Sequence, residues 1–325
     1  MSAPAVSAFQ TQLERLGRVP DLVLSAALLA VAGLVVYGAV STEGFLTVSN
    51  LKAILTATAF VGIIAIGMTA IMISGNLFSL SLGQTAAVTA MFFLYSLQIS
   101  LGAAIVLTIL LGCAIGAIQG VVVGAWGANP IIVTIGAASL LEGFAVWISH
   151  GHSILPPDNA TSYTHLARPL GGIPFGIYVF FVLAIVVDVL LRATRFGRQT
   201  YLMGENRRAA RAAALPITLI TTGAFALAGT CTAIAGVLIG ATSANGSLLL
   251  TGTYTYDAIA AALVGGTAVT GGRGSVLRTV AGAVLIATVS DMLLLRSYST
   301  GIQILVKGMI VLVVVLLMGV RRRPR

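Results

Sequence analysis

Apolar runs of about twenty residues recur along this chain from end to end, the length an α-helix needs to cross the hydrocarbon core of a bilayer. Bounded by Gly, Pro, Asn or charge, they fall at 22–41, 52–74, 79–97, 102–125, 130–149, 173–191, 218–241, 256–270, 276–295 and 302–319. Only 8% of the 325 residues are charged, where an ordinary soluble domain carries about a quarter. Such a chain cannot cover a soluble particle with polar surface, and its 58% apolar content excludes disorder. It reads as an all-α membrane protein of about ten transmembrane segments. The first run follows Arg15 and Arg18 but lacks a small-residue cleavage site, so it is predicted to be a retained helix.

The distribution of positive charge orients the bundle. A net charge of +9 in a soluble protein would suggest nucleic acid, but here the cations sit at span ends and predict no such partner. With both termini cytoplasmic, the inner side collects Arg15, Arg18, six arginines from Arg192 to Arg211, Arg273, Arg278 and four in the tail. The outer side keeps Lys52, Arg168, Arg296 and Lys307. This predicts a cytoplasmic segment 1–21, a membrane domain 22–319 with an outer loop 150–172 and an inner loop 192–217, and a basic tail 320–325. The outer loop holds Pro156, Pro157, Asp158, Asn159 and the histidines 150, 152 and 165, read as loop polarity rather than a metal site. Cys113 and Cys231 lie in apolar Gly/Ala-rich surroundings and form neither a disulfide framework nor a metal motif.

Packing signals are the strongest local features. Gly112, Gly116, Gly120 and Gly124 repeat every four residues, placing four positions without side chains on one helix face for close approach of another backbone. Gly236 and Gly240 repeat the device once. Two spans are interrupted: Gly75-Asn76 with Ser79-Leu80-Ser81-Leu82-Gly83, and Gly265-Gly266 with Gly271-Gly272-Arg273-Gly274. Non-helical backbone at membrane depth persists only inside protein or beside a water-filled path. One interruption in each half suggests two five-span halves with a passage between them. Asn76, Ser79, Ser81, Thr267 and Thr270 are then the candidate path residues, with a seal inside the bundle as the alternative.

Catalytic signatures are missing. The Gly-rich stretch 266–275 lacks the Lys of a phosphate loop, and the only lysines, Lys52 and Lys307, follow no such loop. No HExxH motif or Ser/His/Asp grouping is present, so a membrane enzyme is not predicted. Ion coupling would need intramembrane carboxylates. Asp188 lies one turn before Arg192 and anchors a helix end, Asp257 lies at the outer start of its segment, and Glu142 and Asp291 stay open.

The inner loop carries Gly204-Glu205-Asn206-Arg207-Arg208-Ala209-Ala210-Arg211, by itself either a solvated positive-inside loop or a short docking helix. Here the chain resembles the permease subunits of bacterial ABC importers, in the ribose/xylose-type branch of the branched-chain amino acid/sugar permease family. That family has G-x-N-x-x-A-A-R at this place. Its F-L-T-x-x-N is similar to Phe45–Asn50, its A-x-G-M-T to Ala65–Thr69, and its V-K-G to Val306–Gly308. The nineteen-residue pattern D-A-I-A-A-x-x-x-G-G-T-x-x-x-G-G-R-G-S runs complete from Asp257 to Ser275. The resemblance, from Phe45 to about Leu317, implies a chain in the bacterial inner membrane that conducts a small polar solute, most simply a sugar. It further implies a second permease subunit, cytoplasmic ATPase subunits that contact residues 204–211 and hold ATP and Mg, and a periplasmic solute-binding protein. No cofactor is expected on this chain. Departures lie at Ser79, where the family has Asp, at Glu142, where Arg is common, and at Asp291, where Asn is common. A non-sugar solute such as an amino acid or nucleoside, and an ion-coupled carrier, are the alternatives.

Overall fold

The structure, a computed structural model, describes residues 33, 36–38, 40, 42, 44–158, 160–248 and 252–320. The segment 1–21, most of the first apolar run, Asn159 and the tail 321–325 lie outside the described residues. The chain is helical throughout, and one two-residue ribbon is its only sheet among the described residues.

The helices follow the punctuation of the sequence. Thr47 caps α1 (Val48–Ile73) by accepting from Asn50 N at 3.3 Å. After the break comes α2 (Leu82–Ser96), then α3 (Leu101–Ala125), capped by Ser100 through Ala103 N at 3.2 Å. Asn129 caps α4 (Pro130–Ser149), whose first residue is the proline that needs no donor there. The segment that follows α4 folds as α5 (Thr164–Ala167) and a ribbon of β1 (Pro169–Leu170) against β2 (Ile173–Pro174). It is tied to the end of a later span by the reciprocal Ile154–Gly246 backbone bonds, at 2.9 and 2.8 Å. The chain continues with α6 (Phe175–Ala193), α7 (Arg195–Glu205), α8 (Arg207–Ala212), α9 (Ile217–Ser243), α10 (Tyr254–Val264), α11 (Val276–Leu295) and α12 (Thr300–Val320).

Among the described residues six of these, α1, α3, α4, α6, α9 and α11, are long and apolar enough to cross a membrane. The interrupted spans yield shorter helices: the run 79–97 is helical only from Leu82, and the run 256–270 stops being helical after Val264. Apolarity alone does not separate inside from outside, because lipid and core are equally apolar; small side chains make the separation. The best apolar windows of α1 and α9 are 78% buried, against 11% for α4. α1 is the central post, packed against α9, α11, α10 and α6. Thr69 and Thr279 share a hydrogen bond of 2.8 Å between α1 and α11 at full burial.

The glycine face of α3 lies against α9. A Cβ on Gly112 would meet Ala233 Cβ and, at 2.6 Å, Gly229 O; on Gly116 it would meet Phe225 O; on Gly120 it would lie 2.6 Å from Thr222 Cα; on Gly124, 3.0 Å from Thr218 Cα. The approach is reciprocal, since a Cβ on Gly229 would meet Gly112 O. Gly236 of α9 faces Ala86 O and Thr89 of α2 in the same manner, so α9 is clasped on two sides by small residues.

Candidate functional site

Both interruptions come together at one end of the bundle, and the charged segment after α6 sits on them. α1 ends at Ser74, and Gly75 turns the chain with φ +77°, a conformation that suits glycine. The second interruption turns at Gly271 and Gly272, with φ +86° and +71°, and Gly272 N donates to Ile73 O at 2.9 Å. Gly204, near the end of α7, fills the remaining space: a Cβ there would meet Ile73 O and lie 2.5 Å from Gly272 N. A Cβ on Gly271 would lie 2.5 Å from Gly75 Cα, and one on Gly272 would lie 2.7 Å from Glu205 Cα. Four glycines thus bring three backbone segments into direct contact.

Polar bonds reinforce this junction. Arg207 Nη1 donates to Asn76 Oδ1 at 3.4 Å, Tyr201 Oη to Gly274 O at 3.1 Å, and Arg192 Nη2 to Ser275 Oγ at 3.0 Å. Burial, and then the charge of Arg211, lowers the Arg207 pKa from its ordinary value; burial raises that of the Tyr201 phenol, keeping it a proton donor. Arg192 also pairs with Asp188 at 2.9 Å, one turn earlier on α6.

Asn206 divides this charged segment into two helices. Its backbone is extended, and its side-chain oxygen accepts from Arg208 N and Ala209 N, both at 3.0 Å, starting α8. The two alanines of the motif differ: Ala209 is exposed, whereas Ala210 is buried with Met203 and Ile220. Glu205, Arg208 and Arg211 are exposed. Beside α8 runs a groove of about 700 Å³ lined by Arg211, Leu215, Pro216, Thr218 and Gly124 among others.

The path candidates separate by burial. Asn76, Ser79, Ser81 and Thr267 are buried, while Thr270 is exposed. Ser81 Oγ donates to Gln119 Oε1 of α3 at 2.8 Å, so the single proton between Ser79 and Ser81, 3.1 Å apart, comes from Ser79. Leu80 N donates to Thr134 Oγ1 at 3.1 Å, and Ser79 N to Met68 Sδ at 3.4 Å. The extended stretch therefore re-enters the bundle alongside α1, with its backbone satisfied by α1 and α4.

Three acids have partners or settings that their sequence neighbours do not reveal. Asp257, expected to mark the outer start of its segment, is buried and pairs with Lys307 Nζ at 2.7 Å, so Lys307, counted with the outer cations in the sequence, is a buried partner of an acid. Asp291 accepts from Asn50 Nδ2 at 2.8 Å. Glu142 is exposed on α4, on a helix surface that also exposes Gly136, Ser139 and Gly143. Among the described residues no group of three metal-ligating side chains assembles, and His150, His152 and His165 are exposed.

A polytopic bundle with broken spans meeting a charged helix pair at one end is built for transport. The chain belongs to the family described as branched-chain amino acid transport system / permease component, whose pattern matches residues 50–317. It is similar to the ribose import permease protein of Haemophilus influenzae (30% identity, 84% of this chain and 85% of that one) and to that of Bacillus subtilis (31%, 87% and 89%). It is also similar to the D-allose transport system permease protein of Escherichia coli (30%, 87% of each). No solved structure is significantly similar to it. The chain is thus a multi-pass inner-membrane permease and not an enzyme, a transport component of an importer in which a separate subunit handles ATP.

Proposed function

We propose that this chain forms the conduit of an importer for a sugar or closely related polyhydroxylated solute, and that residues 204–211 are the lever through which the ATPase moves it. The observation that carries the reading is the four-glycine junction: the exposed charged segment touches both broken spans through backbone, so displacement of α7–α8 must displace both. Arg211 lines the groove beside α8, Glu205, Arg208 and Ala209 are exposed to a cytoplasmic partner, and Arg207 reaches Asn76 while Ala210 holds α8 to the bundle. The solute class follows the relatives named for ribose and allose import.

The rest of the machine follows from this reading. Ten spans in two five-span halves, with both termini and the 192–217 loop cytoplasmic and 150–172 periplasmic, place the cations by the positive-inside rule. A second permease subunit covers the exposed face of α4, since lipid cannot satisfy the Glu142 carboxylate. ATP and Mg lie on the ATPase subunits, and the solute arrives from a periplasmic binding protein. Asn76, Ser79, Ser81 and Thr267 belong to the closed gate of the path, and Thr270 to its cytoplasmic rim. Vesicles containing this chain with its ATPase and binding protein are expected to take up D-ribose or D-allose only with ATP and Mg. Uptake without ATP overturns the importer; ATP-driven uptake of amino acids alone overturns the sugar.

A further inference from the structure

We propose that the Asp257–Lys307 pair, with the cavity beside it, is a contact site for neighbouring hydroxyls of the passing solute; this rests on the polyhydroxylated solute proposed above. The pair joins α10 to α12 at 2.7 Å, with side chains 4% and 7% exposed. Two charges inside a membrane bundle are an inefficient way to hold helices. Their desolvation offsets their attraction, and an apolar pair of equal volume is often as stable. Ionisable residues at such depth mark solute or ion pathways by default. The neighbours of this pair point the same way.

A cavity of about 170 Å³ opens against both charges, lined also by Thr253, Tyr256, Ile304 and Gly308. A Cβ on Gly308 would meet nothing within 4 Å, so the cavity opens past Gly308 to the surface of the chain. The hydrogen-bonding capacity of the pair is only partly used. Asp257 Oδ2 accepts from Thr253 Oγ1 at 3.2 Å and Oδ1 faces the ammonium, but a carboxylate has about four lone-pair sites and an ammonium three protons. A diol matches what remains: one hydroxyl donates to the carboxylate while its neighbour accepts from the ammonium. Half-exposed Tyr256 offers a ring beside them.

The site also lies next to the first broken span. Gly83 N donates to Thr255 Oγ1 at 2.8 Å, placing the first turn of α10 where the extended stretch 76–81 becomes α2. Lys307 lies seven residues into α12, roughly 10 Å along it at 1.5 Å per residue. A solute coming from outside would meet the pair before the gate at Ser79 and Ser81. Contacts of this kind must be weak enough to release, and a pre-existing ion pair competing for the same groups ensures that.

The test uses the full complex in vesicles, in a background lacking Cys113 and Cys231. Thr253→Cys is expected to react with a small water-soluble thiol reagent in at least one nucleotide state; failure to react in all states overturns the site whatever the solute is. The double variant Asp257→Asn/Lys307→Gln, which leaves no unpaired charge, is expected to melt like the parent but to raise the KM for D-ribose at least tenfold. An unchanged KM in a folded complex overturns the proposal. The reversed pair Asp257→Lys/Lys307→Asp separates the remaining possibility, a structural clasp, because restored uptake at the parental KM would assign the pair to packing alone. Absence of D-ribose and D-allose uptake by the parent complex counts against the sugar reading, while the Thr253→Cys reaction still decides whether the cavity is wet.

Discussion

A Cβ built on Gly75 would lie 3.1 Å from Gly204 Cα, so the turn that ends α1 and the last turn of α7 meet backbone to backbone. The absence of both side chains makes the α7–α8 helix pair and the central post of the bundle one mechanical unit. Gly204→Ala places its methyl against Ile73 O, a backbone atom that cannot swing aside. The expected result is separation of α7 from the junction, a stability loss of about 1–3 kcal/mol and at least a tenfold fall in ATP-driven uptake. ATP hydrolysis measured with and without binding protein checks it, because a decoupled lever hydrolyses at a rate the binding protein no longer changes.

Ala209 and Ala210 are adjacent in the motif but answer to different constraints. Ala209→Glu puts an acid on an exposed position and is expected to leave the melting temperature within a few degrees while abolishing stimulation of the ATPase. Ala210→Glu drives an unpaired carboxylate between Met203 and Ile220 and is expected to cost about 3–5 kcal/mol, with loss of folded protein in detergent. Comparing the two melting curves reports on the packing, and co-purification of the ATPase subunit reports on docking. Retention of the ATPase by a folded Ala209→Glu protein, with normal stimulation, would move the contact elsewhere.

Gly116→Leu is expected to be the most damaging change on the α3 face. Its side chain would be built into Phe225 O of α9, and neither backbone can retreat without opening the interface along Gly112 and Gly120 as well. A drop of about 3 kcal/mol or more is expected, read as a fall in detergent melting temperature or as failure to insert stably. Gly136→Leu on exposed α4, where a Cβ meets nothing within 4 Å, is the control and should leave the isolated subunit's melting temperature unchanged.

These contrasts show what the linear order carries. The α3 face was legible because four glycines at a spacing of four have one geometric meaning on a helix; the helix starts were only approximate, because apolar runs do not mark the caps Thr47 and Ser100, and Asn206 divides a segment that reads as one short helix. The broken spans announced themselves through Gly75 and Gly271–Gly272, whose positive φ only glycine adopts freely. Their meeting place was not legible, because Gly75, Gly204 and Gly272 are far apart along the chain and none carries a side chain whose chemistry could point to the others. Asp257 and Lys307, fifty residues apart, were hidden for a related reason. Each charge has an innocuous local reading, and only the crossing of α10 with α12 makes them a pair.

Burial of the path candidates yields the last prediction. Ser79 and Thr267 are both 0% exposed, and Ser79 is bonded to Ser81, which is bonded in turn to Gln119. Single cysteines at either position, with Cys113 and Cys231 removed, are expected to be inert toward a small water-soluble thiol reagent in this arrangement. If displacement of α7–α8 opens the two breaks together, both cysteines become reactive in the same nucleotide state. Their rates should rise in parallel, because Gly272 N bonded to Ile73 O makes the two segments move as one. Thr270→Cys, already exposed, should react throughout and serves as the reference. Reaction of one cysteine without the other would show that only that break lies on the path. Silence from both in every nucleotide state, in a complex that still transports, would leave the breaks as a permanent seal and put the solute elsewhere in the bundle.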